Sequence, residues 1–207
     1  MFRMMNISKP GRRWMQFSLR GMLVLTASMG LLLGWAIHLV REQRNAVAAL
    51  ERMGSSIRYN DPDEASILER FGILTGLDVF REVEAVYCGP VMTDAGLVHL
   101  RGLPKLRQLG LTHTQVTDAG LAQLEKLPEL RILFVSETQV TDAGLVHLQR
   151  LKKLQAIGLY GNKITDAGLV HLRGLYELRW LNLGGTQVSD AGVLGLKQES
   201  FWLTVEY

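Results

Sequence analysis

One cysteine, Cys88, is all the chain offers to thiol chemistry, so an internal disulfide is impossible and the paired spacings of a zinc site do not occur. Phosphate-cradling glycine motifs and a nucleophile elbow are missing too; Ser136 and Ser189 stand in neither setting. No catalytic residue, cofactor site or metal site is therefore expected. Acidic residues are absent before Glu42, and charge of either sign is absent from 21–40. Five of the 23 basic residues, Arg3, Lys9, Arg12, Arg13 and Arg20, lie in the first twenty positions, so 18 basic residues face 20 acidic ones in the rest, a balance of −2. The pI of about 9.1 thus belongs to the tail. A basic surface for nucleic acid is unsupported, and no nucleic-acid partner is expected.

The uncharged run 21–40 is rich in Leu, Met, Val and Ala. At ~1.5 Å per residue, a helix of that length covers a ~30 Å hydrocarbon core, so it reads as a membrane span. The basic tail before it places the N-terminus in the cytoplasm and exports the repeats. A cleaved signal peptide would carry an apolar region of ~7–15 residues ending in an Ala-x-Ala-like site, which the stretch around Gly34-Trp35-Ala36 lacks. An uncleaved signal anchor is expected, with 1–20 as a cytoplasmic tail and the repeats extracytoplasmic.

What is abundant is repetition. Thr93-Asp94-Ala95-Gly96-Leu97 returns from Thr117, Thr141 and Thr165, and in softened form from Ser189, at a constant step of 24 residues. A period of 20–29 residues with leucines at set offsets marks a solenoid, in which each unit buries its apolar face only against the next. In one unit the apolar positions are Leu103, Leu106, Leu109, Leu111, Val116, Leu121 and Leu124. Leu109 and Leu111 alternate with period two, which predicts a short strand with both leucines inward and Gln108, Gly110 and Thr112 outward. Thr117-Asp118 opens a short helix, where a hydroxyl or carboxylate satisfies free first-turn N–H groups. Gly120 occupies the place where a capping box would put Glu or Gln. Close packing and special backbone angles are both open as its reason.

The L-x-x-L-x-x-L-x-L-x-x-T-x-V-T-D-A-G-L unit resembles bacterial leucine-rich-repeat proteins of the ribonuclease-inhibitor-like superfamily, over roughly 79–207, and its T-D-x-G-L portion looks like the cysteine-containing subclass. The phrase Trp14-Met15-Gln16-Phe17-Ser18-Leu19-Arg20 resembles anchor segments of membrane-tethered repeat proteins. The resemblance implies an α/β fold, a right-handed leucine-rich-repeat solenoid with parallel strands on the concave face and short helices on the convex face, preceded by one transmembrane helix. Thr114, Thr138, Asn162 and Thr186 stand where that subclass has Cys or Asn. The resemblance implies that this position hydrogen-bonds to neighbouring backbone turns.

Counting one step back from Leu109 and Leu111 gives Ala85 and Tyr87 as inward residues of a degenerate first coil, with Glu84, Val86 and Cys88 outward. Counting forward gives Val205 and Tyr207, with Trp202 at the place of Leu178. Atypical end coils are expected of solenoids. Residues 41–78 read as a juxtamembrane helix carrying Ala46, Val47, Ala49, Leu50 and Met53, an alternation at Ile57-Arg58-Tyr59, and a second helix from Asn60-Asp61-Pro62-Asp63 with Ile67, Leu68 and Phe71; the segment is an N-terminal cap or a stalk.

Three sets of residues invite a functional reading. His99, His147 and His171 recur at one position, but Gln123 and Gly195 fill it in other coils and copying of an ancestral repeat explains it. Asp94, Asp118, Asp142, Asp166 and Asp190 each have a duty at a helix start, and no base or nucleophile recurs beside them. The outward strand positions are more informative: Ile132, Phe134, Tyr160 and Trp180 form an apolar-aromatic cluster among small residues, as binding anchors do. The expectation is a membrane-anchored, non-enzymatic module that binds a protein or peptide partner through these four residues on its concave face. The alternatives are a structural envelope protein that packs laterally with copies of itself, and an adaptor scaffolding a membrane enzyme.

Overall fold

The computed structural model describes residues 19–59, 82–198 and 202–207, without the side chains of 19–26, 32, 33 and 36. Of the expected tail, 1–20, residues 1–18 lie outside the described residues, as does the expected second helix with Ile67, Leu68 and Phe71. The chain divides into two units, Met1–Leu39 and Val40–Tyr207.

The first unit contributes the start of one long helix, α1 (Leu19–Arg52). Its described side chains are solvent-exposed, among them Met29, Leu31, Trp35, Ile37 and Leu39. At 100° per residue these five point in several directions around the axis, so no polar face is set against an apolar one. Among the described residues no helix is long and apolar enough to cross a membrane. The run 21–40 lies partly on side chains outside the described set.

The second unit is a seven-stranded sheet in chain order. Strand β1 (Ser56–Tyr59) pairs antiparallel with β2 (Val83–Tyr87); β3 (Gln108–Gly110), β4 (Ile132–Phe134), β5 (Ala156–Gly158), β6 (Trp180–Asn182) and β7 (Thr204–Glu206) then succeed it in parallel. Between successive parallel strands the chain makes one short helix, from Asp94–Leu97 to Asp190–Lys197, and in all but the last connection a 3₁₀ turn comes after it. From β3 onward the register steps by 24 residues, Leu109 to Leu133 to Ile157 to Leu181 to Val205. The inward leucines form one cluster, and Leu106, Leu109, Leu111, Leu121 and Leu124 are all fully buried. Each contributes about 1.5–3 kcal/mol of apolar burial. The architecture is a leucine-rich-repeat solenoid. Ala46 and Leu50 of α1 are buried in the same cluster as the first-coil residues Val86, Met92 and Leu97.

The first coil corrects the sequence register by one. Val86, not Ala85, pairs with Leu109, and Tyr87 pairs with Gly110, a step of 23. Met92 and Asp94 keep the 24-residue step to Val116 and Asp118, so the missing residue lies in the turn that contains Pro90. Val86 and Cys88 therefore face inward and Tyr87 outward; Tyr87 is 39% exposed, whereas Val86 is fully buried. Ala85 pairs with outward Gln108, against the expectation that it faces inward, although it too is buried. At the other end Val205 keeps its place, but Tyr207 is exposed and Leu203 is buried beside an exposed Trp202.

Gly120 is explained by close packing. The Asp94 carboxylate accepts from the Thr117 amide (2.8 Å) and the Thr117 hydroxyl (2.6 Å) of the next coil, while the Thr117 Oγ1 accepts from the Ala119 amide (3.3 Å). A Cβ on Gly120 would stand 2.2 Å from Asp94 Oδ1, which no real contact allows. The same clasp joins Asp118 to Thr141, Asp142 to Thr165 and Asp166 to Ser189, with Gly144, Gly168 and Gly192 against the respective carboxylates. Asp190 meets the Tyr207 hydroxyl, and its charge, with their hydrogen bond, raises the Tyr207 pKa.

At the position implied to bond neighbouring turns, Thr114 and Thr186 donate only within their own turns, to Leu111 O and Leu183 O (both 2.6 Å). Asn162 does span coils: its Nδ2 donates to Val135 O (2.8 Å) and its Oδ1 accepts from the Thr138 amide (3.1 Å). The Thr138 hydroxyl lies 2.9 Å from both Val135 O of its own turn and Asn162 Oδ1 of the next coil, so a threonine joins the neighbouring coil only where an asparagine side chain there reaches toward it. A hydroxyl has one hydrogen to donate, whereas the amide has donors and an acceptor for both turns.

Candidate functional site

The sheet face that turns away from the leucines is built by alternation along each strand. From β3 to β7 its first row reads Gln108, Ile132, Ala156, Trp180 and Thr204, and its second reads Gly110, Phe134, Gly158, Asn182 and Glu206. Tyr160 stands two residues beyond Gly158. The structure places all four sequence-predicted residues on this face: Ile132, Phe134 and Trp180 are half-buried and Tyr160 is 47% exposed.

It brings Phe134 and Trp180 into contact across β5. Their ring centroids lie 6.0 Å apart with planes at 70°, an edge-to-face pair. The intervening strand presents only Ala156 and Gly158, and this is what lets two rings on alternate strands meet. A Cβ on Gly158 would come within 2.8 Å of Phe134 Cδ1. Tyr160 makes no ring contact with either partner in the structure; its ring lies against the next coil instead, 3.0 Å from the position a Cβ on Gly184 would take. Tyr87 repeats the arrangement over Gly110 at 2.7 Å. Each of these three side chains thus rests on a glycine one coil later, covering backbone that would otherwise be bare.

The polar neighbours divide between two ends. Near β1 the Tyr87 hydroxyl and the Arg58 guanidinium donate to Gln108 Oε1 (3.1 and 2.8 Å), with Arg58 3.7 Å from Glu84. Near β7 Trp180 Nε1 donates to Glu206 Oε1 (2.9 Å) and Asn182 Nδ2 to Glu206 Oε2 (3.2 Å). Sequence reasoning missed Tyr87 because the short Pro90 turn shifts its register, and passed over Glu206 because its link to Trp180 joins residues 26 apart. The recurring pairing of an aromatic residue with a glycine 23 or 24 positions later was the available signal for the former.

The other candidates have local explanations. His147 donates through Nδ1 to Glu125 (2.8 Å), and this bond, aided by Arg150, holds the Glu125 carboxyl below its usual range. Gln149 Nε2 donates to His171 Nδ1 (2.9 Å), and His99 lines a groove of about 470 Å³ of mixed character, with Glu42, Asn45 and Arg101 beside Ala46, Ala49 and Val98. Among the described residues no three His, Cys, Asp or Glu are grouped to hold a metal ion. Burial pushes the Cys88 thiol up to about 11, with the Ser55 hydroxyl acting weakly the other way, so the thiol stays protonated near neutrality.

No family model matches the sequence, and no curated protein matches it. Among solved structures, an internalin of Listeria monocytogenes is similar over 53% of this chain at 18% identity, with a TM-score of 0.38. A leucine-rich-repeat protein of Leptospira interrogans is similar over 53% of this chain at 20% identity, with a TM-score of 0.42. This chain covers 36% and 27% of those two chains.

Proposed function

We propose that this protein is a non-enzymatic recognition module, anchored in a membrane through 21–40, that holds a protein or peptide outside the cytoplasm on the outward face of its sheet. The observation that carries the reading is the Phe134–Trp180 pair: two large rings on a solvent-facing surface, fixed against each other over an alanine and a glycine. Aromatic side chains held in one orientation before a ligand arrives lose little entropy on binding, which is why they dominate interface energetics. Ile132 and Tyr160 extend the patch. The exposed apolar side chains of α1 support the anchor, since a helix apolar on several sides needs a lipid or protein environment. The charge asymmetry around 21–40 supports the orientation.

Lateral packing is favoured by a different observation. Val98, Val146, Val170 and Leu194 sit at equivalent places on the helix face and are 40–61% exposed. A crosslinking experiment on the full chain in membranes separates the two readings. Photoreactive groups at Tyr160 should capture a different polypeptide, and groups at Val170 should capture nothing specific. Self-crosslinks from Val170 with none from Tyr160 would make lateral packing the function. A reporter active only in the cytoplasm, fused after Tyr207, should be silent; strong activity refutes the orientation.

A further inference from the structure

We infer that the β6–β7 end of this face takes a cationic side chain, a lysine or arginine of an extended partner segment; the inference rests on the recognition reading above and names its chemistry. The five three-residue strands β3–β7 carry a single charged side chain, Glu206. That carboxylate is exposed and is held by two neutral donors, Trp180 Nε1 and Asn182 Nδ2, and among the described residues no cation forms an ion pair with it. Three other glutamates do meet a cation, Glu84 with Arg58, Glu125 with Arg150 and Glu129 with Lys153, while the clasp aspartates, held by neutral donors as Glu206 is, are spent in joining one coil to the next. The unmatched charge lies at the N–H edge of an indole. That indole meets a phenyl ring at 70°, so the two ring planes form a corner beside the carboxylate. An ammonium or guanidinium group has two attractions there, the negative π faces and the carboxylate, and its alkyl stem fits against Ile132 and the bare strand at Ala156. An acidic or purely aliphatic segment would leave Glu206 repelled or desolvated without a partner.

The test uses the full chain in a neutral, nonionic detergent and a fluorescein-labelled hexalysine peptide, with the same peptide fully acetylated on its side chains as the uncharged control. Hexalysine should bind at least about tenfold more tightly than the acetylated peptide. Trp180→Ala should weaken it by about tenfold, and Glu206→Gln by about three- to tenfold, from the combined size of a cation–π contact and an exposed ion pair. Glu125→Gln removes the same charge on the helix face and should change nothing. Thermal unfolding midpoints of all three variants provide the folding control, and Trp180→Phe, which keeps a ring, should bind better than Trp180→Ala. Equal affinity for the two peptides, or equal losses from Glu206→Gln and Glu125→Gln, would overturn the cationic inference. Loss of Tyr160 crosslinks to any partner would instead strike at the recognition reading itself, so the two failures are separable.

Discussion

The two faces of the repeat obey opposite rules. On the helix side four successive clasps reuse one geometry, an aspartate accepting from the next coil's threonine or serine at 2.6–2.8 Å, with a glycine beneath it. On the sheet side the corresponding rows run from glutamine and glycine through isoleucine, phenylalanine and tryptophan to glutamate. A side chain that its neighbouring coil needs is kept from unit to unit; one that meets only solvent is free to differ. Outward sheet positions that change in chemical character from coil to coil are what a binding surface requires, and they are why the sheet face carries the functional reading.

The largest effect that bears on this contrast is loss of an inward leucine. Leu133 is fully buried between coils, and Leu133→Ala should cost about 2–5 kcal/mol in a denaturant titration. Tyr160→Ala, nearby on the outer face, should stay within about 0.5 kcal/mol of wild type. Similar losses at both positions would erase the distinction between the faces.

Next comes a substitution whose sign decides. Helix propensity alone makes Gly168→Ala stabilising by about 0.5–1 kcal/mol. A Cβ there would stand 2.2 Å from Asp142 Oδ1, so the clasp makes it destabilising by about 1–3 kcal/mol. In an Asp142→Ala background the clash partner is gone, and the same change should become neutral or favourable. Stabilisation in the wild-type background would show that the carboxylate has another resting place.

The smallest effect is with acid. The Ser189 hydroxyl, and after it the Ser189 amide, hold the Asp166 carboxyl below its ordinary 3.8. A depressed folded pKa stabilises fully above the unfolded value and less as pH falls from 3.8 through the folded one. Asp166→Asn should therefore flatten the pH dependence of the unfolding midpoint below about pH 4 and leave its slope unchanged between about pH 7 and 9. A change of slope confined to alkaline pH would assign the wrong group.

The leucine frame was legible because burial imposes one period on every coil: Leu109, Leu133 and Leu181 could be placed inward by counting alone. Counting failed where the chain is one residue short. The turn through Pro90 shifts Val86, Tyr87 and Cys88 together, and no local pattern in a degenerate coil reveals a deletion. The reason for Gly120 was equally invisible, since the atom that forbids a side chain belongs to Asp94, 26 positions earlier. The aromatic cluster was legible as a set of outward positions. Its internal arrangement, with Phe134 on Trp180 and Tyr160 apart from both, depends on which neighbours are small enough to be crossed.

The central claim, that recognition belongs to the sheet face and scaffolding to the helix face, is tested most directly by measuring one partner's affinity for two sets of variants of the full chain. Phe134→Ala and Trp180→Ala should each weaken binding by about 2 kcal/mol, roughly thirtyfold, while Val146→Ser and Val170→Ser leave it unchanged. Undiminished affinity in the sheet-face variants, or losses concentrated in the helix-face variants, would contradict the account.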